Sequence, residues 1–528
     1  MSTPPAEHDR LLVPRWRETA KLVLQVEAKA LPGGAAPEMD AGEVAQAHAE
    51  WLDRPSIELA SDVLISAAAT GTGEWLAFGP AEQVLREREN VAPALVNLAQ
   101  RLRHGTMATP IEQTAIPTLE IESVLHRELH RLRASVREYA RNPFAWLDLA
   151  LLHTRLGHAD ASERAARTSL GLAPDNRLVV RSIARLLLHQ NDPEEALRIV
   201  RGSELTRFDP WLTGVEISLS DLVGRSPRFK RQAYDLVKHF EGDPAVISEL
   251  AASIGTNEAF HGPLRRARQY FHLALKSPTE NVVAQASWMS KKLPGAVNFD
   301  GNRLLKQESV YLARALAAYH EGRWNDVLAE AELWLADESF SSRPAVFASF
   351  VAGSMLGDFR RSERFANLGL IANPRDETLR NNLAFALASG DEPERAVPIV
   401  ESFPTGTPYQ QVFFVATAAL LKMRLGNVEE GRRAYMKAIE FADHMRAGPV
   451  LLARYHYVIA ELLTASPDYD TLLVQLKECR QLKVRGGLDP SAIRGLEARI
   501  ANLIMQPKVD KSGQRAELVS ATGDGRSV

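Results

Sequence analysis

Two histidines, His126 and His130, have the types and spacing that most resemble a metal site. They lie four positions apart on a predicted helix, so both imidazoles project from one face and could bind the same ion. Zinc proteases with this spacing carry a glutamate directly after the first histidine, whereas Glu128 follows two residues later and projects from a different face. We therefore favour a solvent-exposed helix face and predict no metal site.

The other catalytic patterns in the chain are incomplete. Gly71-Thr72-Gly73 begins like a phosphate-binding loop, but Leu76 occupies the third glycine position and no Walker lysine follows. The G-x-S-x-G motif of serine hydrolases is absent. The single cysteine, Cys479, has no identifiable base or second thiol nearby in the sequence, so we expect an ordinary helix thiol. The sequence thus predicts a non-enzymatic protein with no catalytic residue and no cofactor.

A run of arginines lies on the same predicted helix as the two histidines. Its members are Arg127, Arg131, Arg133 and Arg137. Glutamates interrupt the run, which is typical of an exposed helix with ion pairs three or four residues apart. The formal net charge of −3 excludes a globally basic surface. Nucleic-acid binding through this basic patch, or membership of a nucleic-acid-targeting complex, is therefore an alternative that we do not favour.

The elements that must position these residues belong to a long chain of ordinary composition. It has 528 residues, of which 45% are hydrophobic and 24% charged, as in folded globular proteins. The first residues show no secretory signal, and one cysteine excludes a disulfide framework. The longest uncharged stretches, Pro344–Gly357 and Pro408–Leu421, are too short to span a bilayer. We expect a cytoplasmic protein that does not enter a membrane.

Two segments of the chain are related to each other. Residues 156–200 align without a gap to residues 356–400. The matched positions include Gly157/Gly357, Pro174/Pro374, Pro193/Pro393 and Ala196/Ala396. Apolar residues recur at helical spacing, and no long stretch alternates with the period of a strand. The sequence therefore predicts an all-α protein in which one helical block occurs twice.

Each block also has a shorter period that resembles the tetratricopeptide repeat. That family's unit of about 34 residues reads W-x2-L-G-x2-Y, then A-x3-F, then proline. The first block keeps Trp146, Leu149 and Pro174, and has Ala150 and His153 in place of the glycine and the tyrosine. Small residues let helices approach closely, and the proline ends the second helix of each pair. The chain is therefore similar to a degenerate member of this family.

The resemblance implies a right-handed α-α superhelix, an α-solenoid whose concave groove holds a partner segment. In that family the first helix of each unit lines the groove, and this register places Arg181, Arg185 and His189 on one inward ridge. Asn381 and Asn382 lie in the equivalent helix of the second block, and Asn382 matches the place of an asparagine that clamps a partner's backbone. Because arginines pair with carboxylates, the expected partner is a protein or peptide segment with acidic groups. We expect charge reversal at Arg181 and Arg185 to weaken binding without changing thermal stability.

Breaks between the repeats divide the chain. Residues 1–140 form an N-terminal helical region of divergent or capping repeats, with a predicted helix over 15–31. The other regions are a first tetratricopeptide-like block (141–291), a linker (292–302), a second block (303–445), a C-terminal helical region (446–506) and a disordered tail (507–528). The favoured function is a scaffold, adaptor or regulatory protein. An enzyme with its active site in residues 1–140 is a second alternative, although that region has no recognisable catalytic set.

Overall fold

The fold is built from helices. The computed structural model describes residues 15–17, 41–70, 74–87, 91, 95–96, 98–99, 118–307, 309–403, 408–443, 447–483 and 488–505. Within these residues the structure contains α-helices, short 3-10 and π segments, and no β-strand. The prediction of an all-α protein is therefore confirmed. The predicted tail, 507–528, lies outside the described residues.

The chain divides into two compact units, and the smaller one is Arg17–Pro117. Its described helices are α1 (Ala41–Asp53), α2 (Ile57–Thr70) and α3 (Phe78–Arg86). Their buried apolar residues form one core, which includes Val44, Ala60, Val63, Leu64, Ala67, Ala81 and Val84. Helices α1 and α3 approach closely, because a side chain at Gly79 would lie 2.8 Å from the ring of Trp51.

The larger unit, Met1–Trp16 with Thr118–Val528, contains both related blocks. The helices up to the predicted linker are α4 (Thr118–Glu138), α5 (Pro143–Arg155), α6 (Ala159–Leu172), α7 (Arg177–His189), α8 (Pro193–Gly202), α9 (Pro210–Leu222), α10 (Lys230–Lys238), α11 (Pro244–His261), α12 (Leu264–Ala274) and α13 (Glu280–Lys292). The next helices are α14 (Arg303–Lys306), α15 (Tyr311–Glu321), α16 (Trp324–Asp337), α17 (Ser342–Phe350), a π-helix (Val351–Leu356), α18 (Phe359–Ala372), α19 (Glu377–Ser389), α20 (Val397–Glu401), α21 (Pro408–Arg424) and α22 (Val428–Asp443). The C-terminal helices are α23 (Ala447–Leu462), α24 (Tyr469–Lys483) and α25 (Pro490–Met505). None of the described helices is both long enough and apolar enough to cross a bilayer.

The two blocks use the same local signals at equivalent places. Helices α6 and α18 have equivalent bounds, as do α7 and α19. Gly157 and Gly357 precede α6 and α18, and both have a φ of +69°, a left-handed conformation that glycine adopts readily. The side chains of Asn176 and Asp376 cap α7 and α19 by accepting hydrogen bonds from backbone N–H groups. Local chemistry thus fixes where these helices begin.

One helix differs between the blocks. Helix α8 is continuous over Pro193–Gly202, whereas the equivalent stretch is a 3-10 turn over Pro393–Ala396 followed by the short α20. Pro398 stands where the first block has Arg198. Proline has no N–H to donate, and its ring crowds the carbonyl four residues earlier, so the preceding turn is not α-helical and a new α-helix begins at Val397 with Pro398 in its first turn.

Helices far apart in the sequence also meet within the larger unit. Helix α18 contacts α4 and α5, and α25 contacts α15 and the π-helix. A side chain at Gly157 would lie 3.0 Å from Cδ of Pro374 and 3.1 Å from the carbonyl oxygen of Ile371. In an open solenoid each repeat contacts only its neighbours. This unit is therefore tied together at more points than the resemblance implies.

Candidate partner-binding cavity

The ridge predicted from the sequence lies on α7. This helix buries apolar residues on its other faces, among them Val179 and Ile183. Arg181, Arg185 and His189 follow one another at intervals of four and so share the remaining face. The structure brings Arg185 and His189 to the wall of one cavity, and Arg181 is not on that wall.

Arg181 takes part in a polar network. Its Nη2 donates to Oε2 of Glu249 at 2.9 Å, and its Cζ lies 5.0 Å from the ring centroid of Trp211. Oε1 of Glu249 accepts a hydrogen bond from Nδ2 of Asn281 at 3.1 Å. Oδ1 of Asn281 accepts one from Nε of Arg15 at 3.2 Å. The network therefore joins α7, α11 and α13 to the N-terminal segment.

Arg185 is buried, with 7% of its surface exposed. Its Nη2 lies 3.5 Å from Oε1 of Glu338, which follows α16 in the second block. Its Cζ lies 4.9 Å from the ring centroid of Phe340. Glu338 is the only ion-pair partner of this guanidinium in the described part of the chain, and no hydrogen bond between the two is formed, so the N–H donors of Arg185 are available to a ligand in the cavity.

Glu338 is ionised at neutral pH. Burial by itself raises the pKa of this carboxyl, but the charges of Arg185 and Arg15 and a hydrogen bond from Trp334 outweigh it and lower the pKa to about 2. Nε1 of Trp334 donates to Oε2 of Glu338 at 3.0 Å. The carboxylate is therefore a fixed negative charge beside Arg185.

His189 is a neutral imidazole at pH 7. Burial lowers its pKa to about 4, and the charge of Arg185 adds to this effect. The ring lies edge-on to Phe340 with 5.3 Å between centroids. Neither ring nitrogen has a hydrogen-bond partner among the described residues. A neutral imidazole offers one donor and one acceptor, so both remain available to a ligand.

The cavity that these side chains line has a volume of about 510 Å³. Arg15, Trp334, Glu338 and Arg343 also contribute to its wall. Cζ of Arg343 lies 5.3 Å from the ring centroid of Trp334. A cavity of this size accommodates a small molecule or a few side chains of a partner. Three guanidinium groups, those of Arg15, Arg185 and Arg343, and one carboxylate, that of Glu338, lie on its wall.

Asn381 and Asn382 are not brought to this cavity. Both are buried in α19. Nδ2 of Asn382 donates to Oγ of Ser349 at 3.0 Å. The side-chain amide of Asn381 has no hydrogen-bond partner among the described residues. Because neither amide reaches the surface, the predicted clamp on a partner's backbone has no accessible group in this conformation.

The predicted basic patch lies at the surface of α4. Arg127, Arg131, Arg133 and Arg137 are all exposed. Nε of Arg131 donates to Oε2 of Glu128 at 2.9 Å, an ion pair of the kind that the alternating charges predict. Arg131 is therefore already paired on the face that a nucleic acid would contact.

The residues considered for catalysis or metal binding are not assembled into a centre. His126 and His130 are exposed on α4. In the part of the chain that the structure describes, no group of three or more His, Cys, Asp or Glu residues could hold a metal ion. Cys479 is buried, and burial raises the pKa of its thiol to about 12, so little reactive thiolate forms at neutral pH.

Sequence reasoning missed the cavity residues outside the repeat helices. Arg15 lies at the start of the predicted helix over 15–31, but residues 15–17 are not helical. Glu338 lies in the connection between α16 and α17 and Arg343 in the first turn of α17, where the repeat register assigns no inward position. One signal was available: Trp16 stands between two arginines in a segment that belongs to no repeat.

Comparison with known proteins does not extend this picture. No protein-family model matches the chain, and no curated protein matches it significantly. The chemistry of the cavity is therefore the basis on which a function can be assigned.

Proposed function

We propose that this protein is a non-enzymatic scaffold, adaptor or regulator of tetratricopeptide type. Its helix pairs would wind into a right-handed superhelix that holds a segment of a partner protein. The equivalent bounds of α6 and α18, and of α7 and α19, support a repeat architecture. The observation that carries the proposed function is the cavity beside Arg185 and His189.

The charges on the cavity wall indicate what the partner segment carries. Arg15 forms an ion pair with Asp337, and Arg185 forms one with Glu338. Arg343 adds a further positive charge to the wall. Guanidinium groups bind carboxylates with paired hydrogen bonds. The partner segment is therefore one that inserts an Asp or Glu side chain.

The neutral His189 adds selectivity without adding charge. Its N–H can donate to the incoming carboxylate, and its unprotonated nitrogen can accept from a backbone N–H of the partner. A segment that offers both groups satisfies the half-buried imidazole, whereas an apolar segment leaves it unpaired at a cost in binding free energy. The cavity thus discriminates against purely apolar partners.

Selection of random linear peptides on the wild-type protein tests the proposal. We expect enriched peptides to share an Asp or Glu at one position and to bind Arg185→Gln at least tenfold more weakly, as measured by fluorescence polarisation. Arg167→Gln is the matched control, because Arg167 is an exposed arginine of α6 that pairs with Glu163. His189→Leu should weaken binding while keeping the charge of Arg185.

Two outcomes contradict the proposal. The first is enrichment of peptides without a shared acidic residue. The second is equal binding to the wild type and to an Arg185→Gln variant whose circular dichroism is unchanged. If Arg185→Gln loses helicity, the comparison between His189→Leu and the wild type decides the question.

Nucleic-acid binding is a second candidate function, supported by the exposure of the α4 arginines. It predicts retention on heparin at low ionic strength and loss of that retention in Arg127→Glu with Arg133→Glu. Absence of retention at low ionic strength would exclude this candidate.

A further inference from the structure

Arg15 lies in a non-helical segment, yet its guanidinium is fully engaged by distant parts of the larger unit. Its Nη1 donates to the carboxylate of Asp337, and its Nη2 donates to the carbonyl oxygen of Ser309 at 2.6 Å. Its Nε donates to Asn281 and lies 3.7 Å from Oε1 of Glu280. Two carboxylates and two neutral oxygens around one guanidinium make a specific site for arginine.

The side chain of the next residue, Trp16, is buried against other parts of the larger unit. Its side chain is 1% exposed and belongs to a hydrophobic cluster with Leu129 and Leu132 of α4. Its ring lies 5.7 Å from that of Phe340, which follows α16. Buried tryptophan and arginine side chains are the anchors that most often carry the affinity of protein–peptide contacts.

These contacts define one pocket for two consecutive residues, which we call the Arg–Trp slot. It consists of Glu280, Asn281, Ser309, Asp337 and Phe340. These five residues lie far from Arg15 and Trp16 in the sequence. The segment that occupies the slot contributes only the side chains of Arg15 and Trp16. An empty slot would remove the guanidinium of Arg15 from the carboxylates of Glu280 and Asp337, and Phe340 would lose its contact with the ring of Trp16.

We propose that the Arg–Trp slot is a recognition site for an extended polypeptide segment in which an arginine precedes a tryptophan. Arg15 and Trp16 are its internal occupant, and a partner segment of the same chemistry displaces them. The slot adjoins the cavity, because Arg15 is part of the cavity wall. Recognition at the slot does not require the cavity to take an acidic group, so the two proposals can fail independently.

Competition with the internal occupant sets the behaviour of the wild-type protein. Because Arg15 and Trp16 belong to the same chain as the slot, they occupy it intramolecularly, with an effective concentration that is set by the connecting chain. A free segment with the same two anchors must exceed that concentration to displace it. The slot is therefore closed to weak ligands and opens to partners that add contacts elsewhere.

A labelled synthetic peptide of residues 11–20 provides the test. We expect it to bind the full-length variant Arg15→Ala with Trp16→Ala at least tenfold more tightly than it binds the wild type, by fluorescence polarisation. Adding Asp337→Lys to that variant should abolish binding. The control peptide has glutamate and alanine in place of the arginine and the tryptophan, and should not bind either protein.

The outcome is decisive in either direction. Equal binding of both peptides to a double variant with native circular dichroism overturns the proposal, as does equal binding of the native peptide to variant and wild type. A stable dimer of the double variant with the wild type would identify a second copy of the chain as the source of the segment, which still supports the slot.

A second measurement applies if the double variant loses its helicity. A protease site is inserted after Ala20 of the otherwise native chain, the chain is cleaved, and the products are separated by gel filtration. Co-elution of the N-terminal fragment with the remaining chain supports recognition by the slot. Release of the fragment, with or without unfolding, overturns it.

Discussion

Nη2 of Arg185 lies 3.5 Å from Oε1 of Glu338, and this ion pair joins the first block to the second in a largely buried place. Arg185→Glu would set two carboxylates side by side in a largely buried place where solvent screens their repulsion only weakly. We expect the free energy of unfolding to fall by about 3–5 kcal/mol, as for other buried ion pairs that lose a partner. Urea denaturation followed by circular dichroism measures the change. This replaces the expectation, drawn from the sequence, that charge reversal leaves stability unaltered.

Arg167→Glu is the control for this charge reversal. Arg167 is exposed, and its ion pair with Glu163 lies within α6. The same substitution there should change the free energy of unfolding by no more than about 0.5 kcal/mol. Equal losses of unfolding free energy in the two variants would show that the ion pair between Arg185 and Glu338 stabilises the protein no more than an exposed ion pair does.

His189 makes stability depend on pH. Its pKa in the folded protein is about 4, against 6.5 for an ordinary histidine. Between these values the unfolded chain binds the proton more readily, so the contribution is complete above pH 6.5 and is lost as pH falls towards 4. The shift corresponds to a contribution on the order of 3 kcal/mol. His189→Asn should therefore flatten the pH dependence of the urea midpoint between pH 7 and 4.

His126→Asn is the comparison variant, because the side chain of His126 is exposed on the surface of α4. His153 also contributes to this window, since burial lowers its pKa to about 4. The His189→Asn profile should accordingly be shallower than that of the wild type without becoming flat. Identical profiles for His189→Asn and the wild type would rule out a neutral, buried His189.

Substitutions at Gly157 and Gly224 distinguish the stability cost of backbone strain from the cost of a contact between the blocks. Their φ angles, +69° and +68°, are nearly equal. A side chain at Gly224 would meet nothing within 4 Å, whereas one at Gly157 would meet Pro374 at 3.0 Å. Gly224→Ala should cost about 1 kcal/mol from the left-handed backbone alone. Gly157→Ala should cost at least about 1 kcal/mol more from overpacking, and equal costs in urea denaturation would contradict the contact.

Cys479 should report opening of the C-terminal helices. It is buried, and burial raises the pKa of its thiol to about 12. We expect its reaction with an aromatic disulfide reagent at pH 8 to be about a hundredfold slower, or more, than in denaturant. An exposed cysteine introduced as Thr168→Cys in a Cys479→Ala background should react rapidly. Comparable rates for the two thiols would show that α24 does not shield Cys479.

The parts of this fold that the sequence predicts are those with local causes. Helical spacing of apolar residues indicates an all-α chain, and the structure has that fold class. Gly357 and Asp376 have the same local roles in the second block as Gly157 and Asn176 have in the first, so the equivalent helices begin at equivalent places. The turn and cap signals act over about four residues and the apolar spacing over about one helix, so both can be recognised without knowledge of the packing.

The parts that the sequence does not predict depend on contacts between distant residues. Periodicity places Arg185 and His189 on one face, but it does not show that Glu338 covers that face. Two adjacent polar residues, Asn381 and Asn382, predict an exposed position on the helix. Both are nevertheless buried, because α19 is enclosed by its neighbours. The repeat pattern does not predict the ion pair between Arg15 and Asp337, because this contact is made by two side chains and not by packed helices.

The separation of 322 positions between Arg15 and Asp337 has a consequence for how the protein is made. A ribosome that adds about 5–20 residues per second completes Asp337 roughly 15–65 s after Arg15. Throughout that interval Trp16 lacks Phe340, although Leu129 and Leu132 of the same cluster have already been synthesised. The contacts of Arg15 and Trp16 with the second block therefore form only after that block has been translated.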